Sequence, residues 1–281
     1  MDKQYLHPIF ILFVGLMAWG CASERDTLVR IDTRHGELVA ILFDETPKHK
    51  ENFLKLAKAG RFDSTEFHRV IENFMIQGGD VFGKEELPRE DWYTVPAEIK
   101  PELFHQKGAL AAARMGNNVN PERASSGSQF YIVQGKKYTA SELTTDKRKL
   151  NEQFMKYLGL ESQKPLRATY TAFYEAGDMQ ALDSLVLAYK GELESFYSLD
   201  LGKKIAPERV RAYVEVGGTP HLDDEYTVFG QLLSGFEVLD KIAAEPTNRS
   251  DKPEEPVYMR VTLQEMSKEK ISKAYGYTYR K

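Results

Sequence analysis

The stretch FHRVIENFMIQGGD, residues 67–80, decides the fold. Two short runs of β-forming residues, one ending at Ile71 and one centred on Met75 and Ile76, flank a break at Asn73, and Gly78-Gly79-Asp80 closes the second. The pattern predicts strands over 66–71 and 73–77. With a period of two, Phe67, Arg69 and Ile71 share one face and His68 and Val70 the other, so a charged arginine sits in an apolar row. Gln77, on the face of Met75, repeats the oddity. So does Gln129 in a later strand over 129–134, sharing a face with Tyr131 and Val133 while Phe130 and Ile132 point the opposite way. One long side chain lying over a sheet with its head in water is ordinary; three together are less easily dismissed. The diglycine is a strand exit rather than a phosphate loop, because no helix start with a lysine follows it.

Upstream, TLVRIDTR at 27–34 and GELVAILF at 36–43 alternate and are rich in β-branched residues, which predicts a hairpin turning at His35-Gly36. Thr46 followed by Pro47 marks a helix start, and Phe53, Leu54, Leu56 and Ala57 supply its apolar stripe before Gly60, giving a helix over 47–59. Downstream, strands are expected at 95–99 and 109–114. Between Lys136 and Gly218 the apolar spacing changes to threes and fours: Leu150, Phe154, Tyr157 and Leu158, then Leu166, Tyr170, Phe173 and Tyr174, then Leu182, Leu185, Val186 and Tyr189. Residues 136–218 thus form a helical insertion whose aromatic stripes are expected to pack against the β part, with a last short helix opening at Pro207. β patterns return with YTVFGQLL at 226–233, a helix at 235–244 and a closing strand at 257–266. The basic, tyrosine-rich tail over 267–281 is expected to be a mobile end.

At 281 residues the chain is two domains or one all-β domain carrying an insertion. Its 42% hydrophobic and 28% charged content excludes a disordered or fibrous protein. With 38 basic against 42 acidic residues there is no global basic field, so nucleic acid is not an expected partner. A single cysteine, Cys21, permits neither an internal disulfide nor a cysteine-based zinc site. Residues 9–20, IFILFVGLMAWG, follow Lys3 with the layout of a secretory signal peptide and are too short for the ~20 residues of a membrane span. Gly20-Cys21 at the end of that run resembles the bacterial lipoprotein signal, in which the cysteine becomes the lipidated first residue, although Trp19 and Ala18 depart from the usual pattern. Residues 1–20 are then the signal, and Cys21 carries a lipid anchor that holds the remainder at a membrane of the cell envelope, facing the periplasm. By resemblance to lipoprotein sorting in enteric bacteria, the lack of aspartate after Cys21 slightly favours the outer membrane.

The strings at 67–80, SGSQFYIV at 126–133 and YTVFGQLLSGFEVLDKI at 226–242 closely resemble the cyclophilin family of peptidyl-prolyl cis-trans isomerases. VPAEI at 95–99, GALAAAR at 108–114 and PHLDDEY at 220–226 agree. The resemblance covers residues 25–135 and 219–266. It implies a mainly β fold, an eight-stranded antiparallel barrel capped by two helices, interrupted by the helical insertion. Carried over by position, the catalytic arginine is Arg69, assisted by Gln77, and the substrate pocket is Phe74, Met75, Ala113, Gln129, Tyr131, Leu222 and Tyr226. Tyr131 stands where phenylalanine usually forms the pocket floor, so its hydroxyl needs a partner in a dry site. Arg114 replaces an asparagine that contacts the substrate backbone. His221 and Tyr226 stand where tryptophan and histidine are frequent, which speaks against tight binding of cyclosporin.

The implied partners are proline-containing polypeptides, and the implied role is to assist the folding of exported proteins. The barrier to turning a peptide bond, roughly 18–20 kcal/mol, comes from nitrogen sharing its lone pair with the carbonyl. An arginine donating to the prolyl nitrogen stabilises the twisted state, in which that lone pair is localised, more than the planar one. No metal or cofactor is required. Two other readings stand beside this one: a cyclophilin-like barrel that binds proline segments or acts as a holdase without turnover, and a hydrolase pairing one of the six histidines with Ser125, Ser126 or Ser128. The second lacks a nucleophile-elbow signature.

Overall fold

A computed structural model describes residues 24–280, so the signal segment 1–20 and Cys21 lie outside the described residues. Contacts divide the chain into a large unit, Thr27–Glu265, and a small one that takes in residues 24–26 and 266–280. The order of elements in the first half is β1 (Arg25–Thr33), β2 (Gly36–Leu42), α1 (Pro47–Lys58), β3 (Thr65–Glu66), β4 (Arg69–Ile71), β5 (Met75–Gly78), α2 (Val81–Lys84), β6 (Thr94–Val95), β7 (Ala109–Ala112), β8 (Ser125–Ser126) and β9 (Phe130–Val133). Six helices follow: α3 (Ala140–Thr144), α4 (Lys147–Leu158), α5 (Lys164–Glu175), α6 (Met179–Ala188), α7 (Lys190–Tyr197) and α8 (Pro207–Glu215). The chain ends with β10 (Val228–Ser234), α9 (Phe236–Ala243), β11 (Tyr258–Ser267) and α10 (Lys268–Tyr275). No helix among the described residues is long and apolar enough to cross a membrane.

The large sheet runs β3-β11-β1-β2-β10-β7-β9-β5-β4, and β6 pairs with β8 apart from it. Its two edge strands are the halves of one extended segment, residues 65–71, so the order closes on itself. Counted that way the sheet is an antiparallel barrel of eight strands. Alternate residues fill it: Val29 and Ile31 from β1, Leu38, Ala40 and Leu42 from β2, Leu110 and Ala112 from β7, Phe130 and Ile132 from β9. Phe53 and Leu56 of α1 and Leu239 and Ile242 of α9 join the same core, so these two helices are the caps. Burying each such side chain contributes about 1.5–3 kcal/mol.

The segment 65–71 departs from simple alternation. Phe67 and Val70, three residues apart, both lie in the interior core, whereas strict alternation places Phe67 on the face of Arg69. The strand changes partner there: Met259 and Tyr258 of β11 pair with Thr65 and Glu66, Phe67 N–H donates to Val257, and Arg69 then pairs with Gln77 of β5. The two residues between the strands reset the phase, which leaves Arg69 outside. Gly78 makes room for this crossing, since a Cβ there would stand 2.8 Å from the Glu66 carbonyl oxygen.

Three other expectations change. The strand at 95–99 is paired only at Thr94–Val95, because Pro96 has no N–H to continue the ladder. The tail is not featureless: Ser267 accepts from Lys270 N–H at 3.4 Å and caps α10, and Lys268 Nζ donates to Glu24 at 2.9 Å. The aromatic stripes of the helical stretch pack on one another rather than on the barrel. Leu150, Phe154, Tyr157, Leu166, Val186 and Leu193 form a core of their own, with Phe154 5.9 Å from Tyr170 and 5.6 Å from Tyr189. The entry and exit of this stretch lie side by side, with Gly218 N–H donating to Lys136 at 3.0 Å and Tyr138 N–H to Tyr213 at 3.1 Å.

Candidate active site

Arg69, Gln77 and Tyr131 stand in one row across three strands. The register pairs Arg69 with Gln77 between β4 and β5 and Gln77 with Tyr131 between β5 and β9, and Ala111 of β7 continues the row. Their chain neighbours Val70, Ile76 and Ile132 all point into the interior core, so the row lies on the outer face of the barrel. Ile71, Met75 and Val133 make a second, apolar row beside it. Phe74 follows a left-handed turn at Asn73, φ 62°, and its ring lies 5.4 Å from that of His221.

Together Arg69, Phe74, Met75, Gln77, Ala113, Arg114, Tyr131, Leu222 and Tyr226 line a cleft of about 120 Å³. An apolar cavity of ~150 Å³ holds one benzene, so this cleft suits a single small ring. Eight of the nine residues expected in the site meet there; the ninth, Gln129, stands behind Gln77 and accepts from its amide at 3.1 Å. Gln77 is therefore held by Gln129 rather than bonded to the guanidinium, although the register sets it opposite Arg69. The Arg69 side chain is 43% exposed, and its Nε donates to Asp251 at 3.4 Å. Its two terminal nitrogens have no partner among the described residues. His68, expected to face away, comes within 3.5 Å of the Gln77 amide.

Arg114 is a wall rather than a free donor. Its side chain is 3% exposed, donates to the Glu225 carbonyl at 2.9 Å and to Asn117 at 2.7 Å, and lies 4.4 Å over the ring of Tyr226. Tyr131 presents its ring to the cleft and takes its hydroxyl away from it. Burial pushes that hydroxyl's pKa well up, so it stays protonated, and it donates to His105 Nε2 at 2.9 Å. The partner that a tyrosine needs in this position is thus supplied from the segment before β7. Residue spacing could not locate it, because 26 residues separate the two; the only cue is a hydroxyl in a place meant to be dry.

A second polar cluster includes Ser125, one of the serines of the hydrolase reading, with partners that the sequence does not reveal. His49 Nδ1 meets Glu98 at 2.7 Å and its Nε2 meets Ser125 Oγ at 2.9 Å, the order of a serine hydrolase triad. Ser125 is 1% exposed, so no acyl group reaches it. Glu98 also accepts from Lys48 and His49 N–H, at 3.2 and 3.1 Å, and the cluster fastens the start of α1 to β8.

Known proteins resemble this chain over most of its length. The family model described as cyclophilin type peptidyl-prolyl cis-trans isomerase matches residues 28–157 and 209–263. A Streptococcus pyogenes protein assigned as a bifunctional phosphatase/peptidyl-prolyl cis-trans isomerase is 36% identical over 82% of this chain, a match that spans 37% of that longer relative. A Staphylococcus saprophyticus protein assigned as a peptidyl-prolyl cis-trans isomerase is 32% identical, with 79% of this chain and 83% of the relative covered. The crystal structure of a Cryptosporidium parvum cyclophilin type isomerase superposes with a TM-score of 0.49 at 22% identity, covering 85% of this chain and 98% of that one. From the family match and the extent of these relatives, the chain belongs to the cyclophilin-type peptidyl-prolyl cis-trans isomerase family.

Proposed function

We propose that this chain turns Xaa-Pro bonds of polypeptides in the outer-face cleft, with Arg69 as the catalytic residue. The observation that carries the reading is the row Arg69–Gln77–Tyr131, which holds over a cleft of one ring's size a guanidinium whose terminal nitrogens are free among the described residues. Phe74, Met75, Tyr131 and Leu222 take the prolyl ring, and Ala113 leaves space for the preceding residue. Gln77, fixed by Gln129, is left to orient the substrate carbonyl. The guanidinium donates to the prolyl nitrogen as its lone pair localises, an interaction that is strongest in the twisted state and so acts on the rate. The test is the cis-to-trans rate of a proline tetrapeptide, read without a coupled protease, for the purified full-length chain and Arg69→Ala. Acceleration by the wild type that falls at least about a hundredfold in the variant is expected, since one lost donor to a developing charge costs about 2.7–4 kcal/mol. A folded wild type without acceleration would leave a peptide-binding barrel instead.

The same reading extends to location and clients: a bacterial lipoprotein anchored through Cys21, facing the periplasm and acting on exported chains during folding. The apolar run at 9–20 that stops at Gly20-Cys21 supports it. Labelling cells with a fatty acid should mark the wild type and leave Cys21→Ser unmarked; equal labelling removes the anchor.

A further inference from the structure

The hydrogen bonding of Tyr131 does not stop at His105. His105 Nδ1 lies 3.1 Å from Asp223 Oδ1, and the His105 backbone N–H donates to the same oxygen at 3.0 Å. Tyr213, on α8, donates to Asp223 at 2.7 Å. Arg209, one turn earlier on that helix, reaches Asp223 at 3.4 Å and Asp224 at 2.8 Å. His105 and Tyr213 are fully buried and Asp223 nearly so. The directions of these bonds follow from the groups. An ionised carboxylate only accepts, so His105 Nδ1 carries the proton, and Nε2 is left to accept from the Tyr131 hydroxyl. Burial holds the imidazole neutral against the pull of Asp223, which keeps Nε2 available. Each member of the series therefore has one arrangement that satisfies its neighbours, and moving one end leaves a buried polar group unpaired.

The far end of the series is not part of the helical core between β9 and β10. That core is built from α4 to α7, whereas Tyr213 packs 5.7 Å from Phe104 and 6.4 Å from Tyr138. Asp223 also follows Leu222 directly, so the groups that hold Asp223 hold a second wall of the cleft. We propose that His105 and Asp223 are positioning residues of the proline cleft and that α8 sets them, through the series Tyr213–Asp223–His105–Tyr131. This rests on the cleft being the isomerase site. The last helix before β10 is then part of the substrate pocket's support, and the floor tyrosine is tolerated because this support exists.

The experiment measures KM and kcat for a proline tetrapeptide on full-length chains: wild type, Arg69→Ala, His105→Leu, His105→Leu with Tyr131→Phe, and Tyr213→Phe. His105→Leu strands the Tyr131 hydroxyl and is expected to raise KM about tenfold, the scale of one unsatisfied buried group. Adding Tyr131→Phe removes the stranded hydroxyl and should return KM to within about threefold of the wild type. Tyr213→Phe, which keeps the ring, should raise KM in the same direction by a smaller factor. A role confined to holding the fold together lowers the fraction of active molecules and so the apparent kcat, with KM unchanged; that result in both His105→Leu and Tyr213→Phe overturns the proposal. So does a raised KM that Tyr131→Phe fails to restore. If His105→Leu does not fold, Tyr213→Phe decides alone. A wild type without turnover, or one matched by Arg69→Ala, instead fails the isomerase reading on which the proposal depends.

Discussion

A guanidinium stays protonated across the accessible pH range, so a rate that depends on Arg69 has no titrating partner to follow. The histidines nearest the cleft do not supply one: burial holds both His105 and His221 below the ordinary imidazole value, so each is neutral above it. Tyr131 is pushed the other way, also by burial, and keeps its proton. The expected kcat/KM is therefore flat between about pH 6 and 9, measured by exchange between the cis and trans forms of a tetrapeptide; a bell-shaped profile would mark an acid–base pair and count against Arg69. The residues proposed to carry this chemistry drew attention because their polarity breaks an apolar period of two, although the fold takes Phe67 out of the row of Arg69. Arg69, Gln77 and Gln129 all advertise themselves in that way. His105 and Asp223 do not, since they lie outside the strands and their partnership exists only after β7, β9 and the loop before β10 have come together.

Thr46 before Pro47 gives the right start for α1, yet its hydroxyl is directed to the Phe43 carbonyl at 3.4 Å and caps nothing. Glu98 takes that role from 50 residues away, accepting two of the helix's first N–H groups while it holds His49. Burial alone would raise the Glu98 pKa, but the hydrogen bonds from His49 and the helix start outweigh it and bring it below the ordinary value. Glu98→Ala therefore removes a cap and strands His49 together, and should cost about 2–3 kcal/mol, read as a lower urea midpoint with an unchanged slope. A change below about 0.5 kcal/mol would show that water replaces the carboxylate without penalty. Local signals predicted the helix and not its capping group, because a carboxylate so remote in sequence leaves no spacing to read. The segment at 65–71 misled for a related reason: its composition announces one strand, while its change of partner between β11 and β5 is decided by the closing of the barrel.

At the scale of the molecule, the barrel was legible because its strands carry family strings and clear alternation, and the helical stretch was legible from its spacing in threes and fours. What the aromatic stripes pack against was not, since amphipathic spacing shows that a face is covered and not by what. The histidines give this whole unit a common response to acid. His49, His68, His105 and His221 each have a pKa lowered chiefly by burial. In the unfolded chain each returns to about 6.5. Below that pH the unfolded state binds protons that the folded state refuses, so stability is complete above about pH 6.5 and falls as the pH drops beneath it. Glu98, also lowered, adds to the loss further down, through the carboxylate range. Scanning calorimetry should find a constant melting temperature from pH 7 to 9 and a decline from pH 6.5 to 5, each lost kcal/mol lowering it by roughly 2–4 °C. A melting temperature unchanged down to pH 5 would mean that these imidazoles accept protons in place, and then the neutral His105 on which the floor of the cleft depends could not be maintained either.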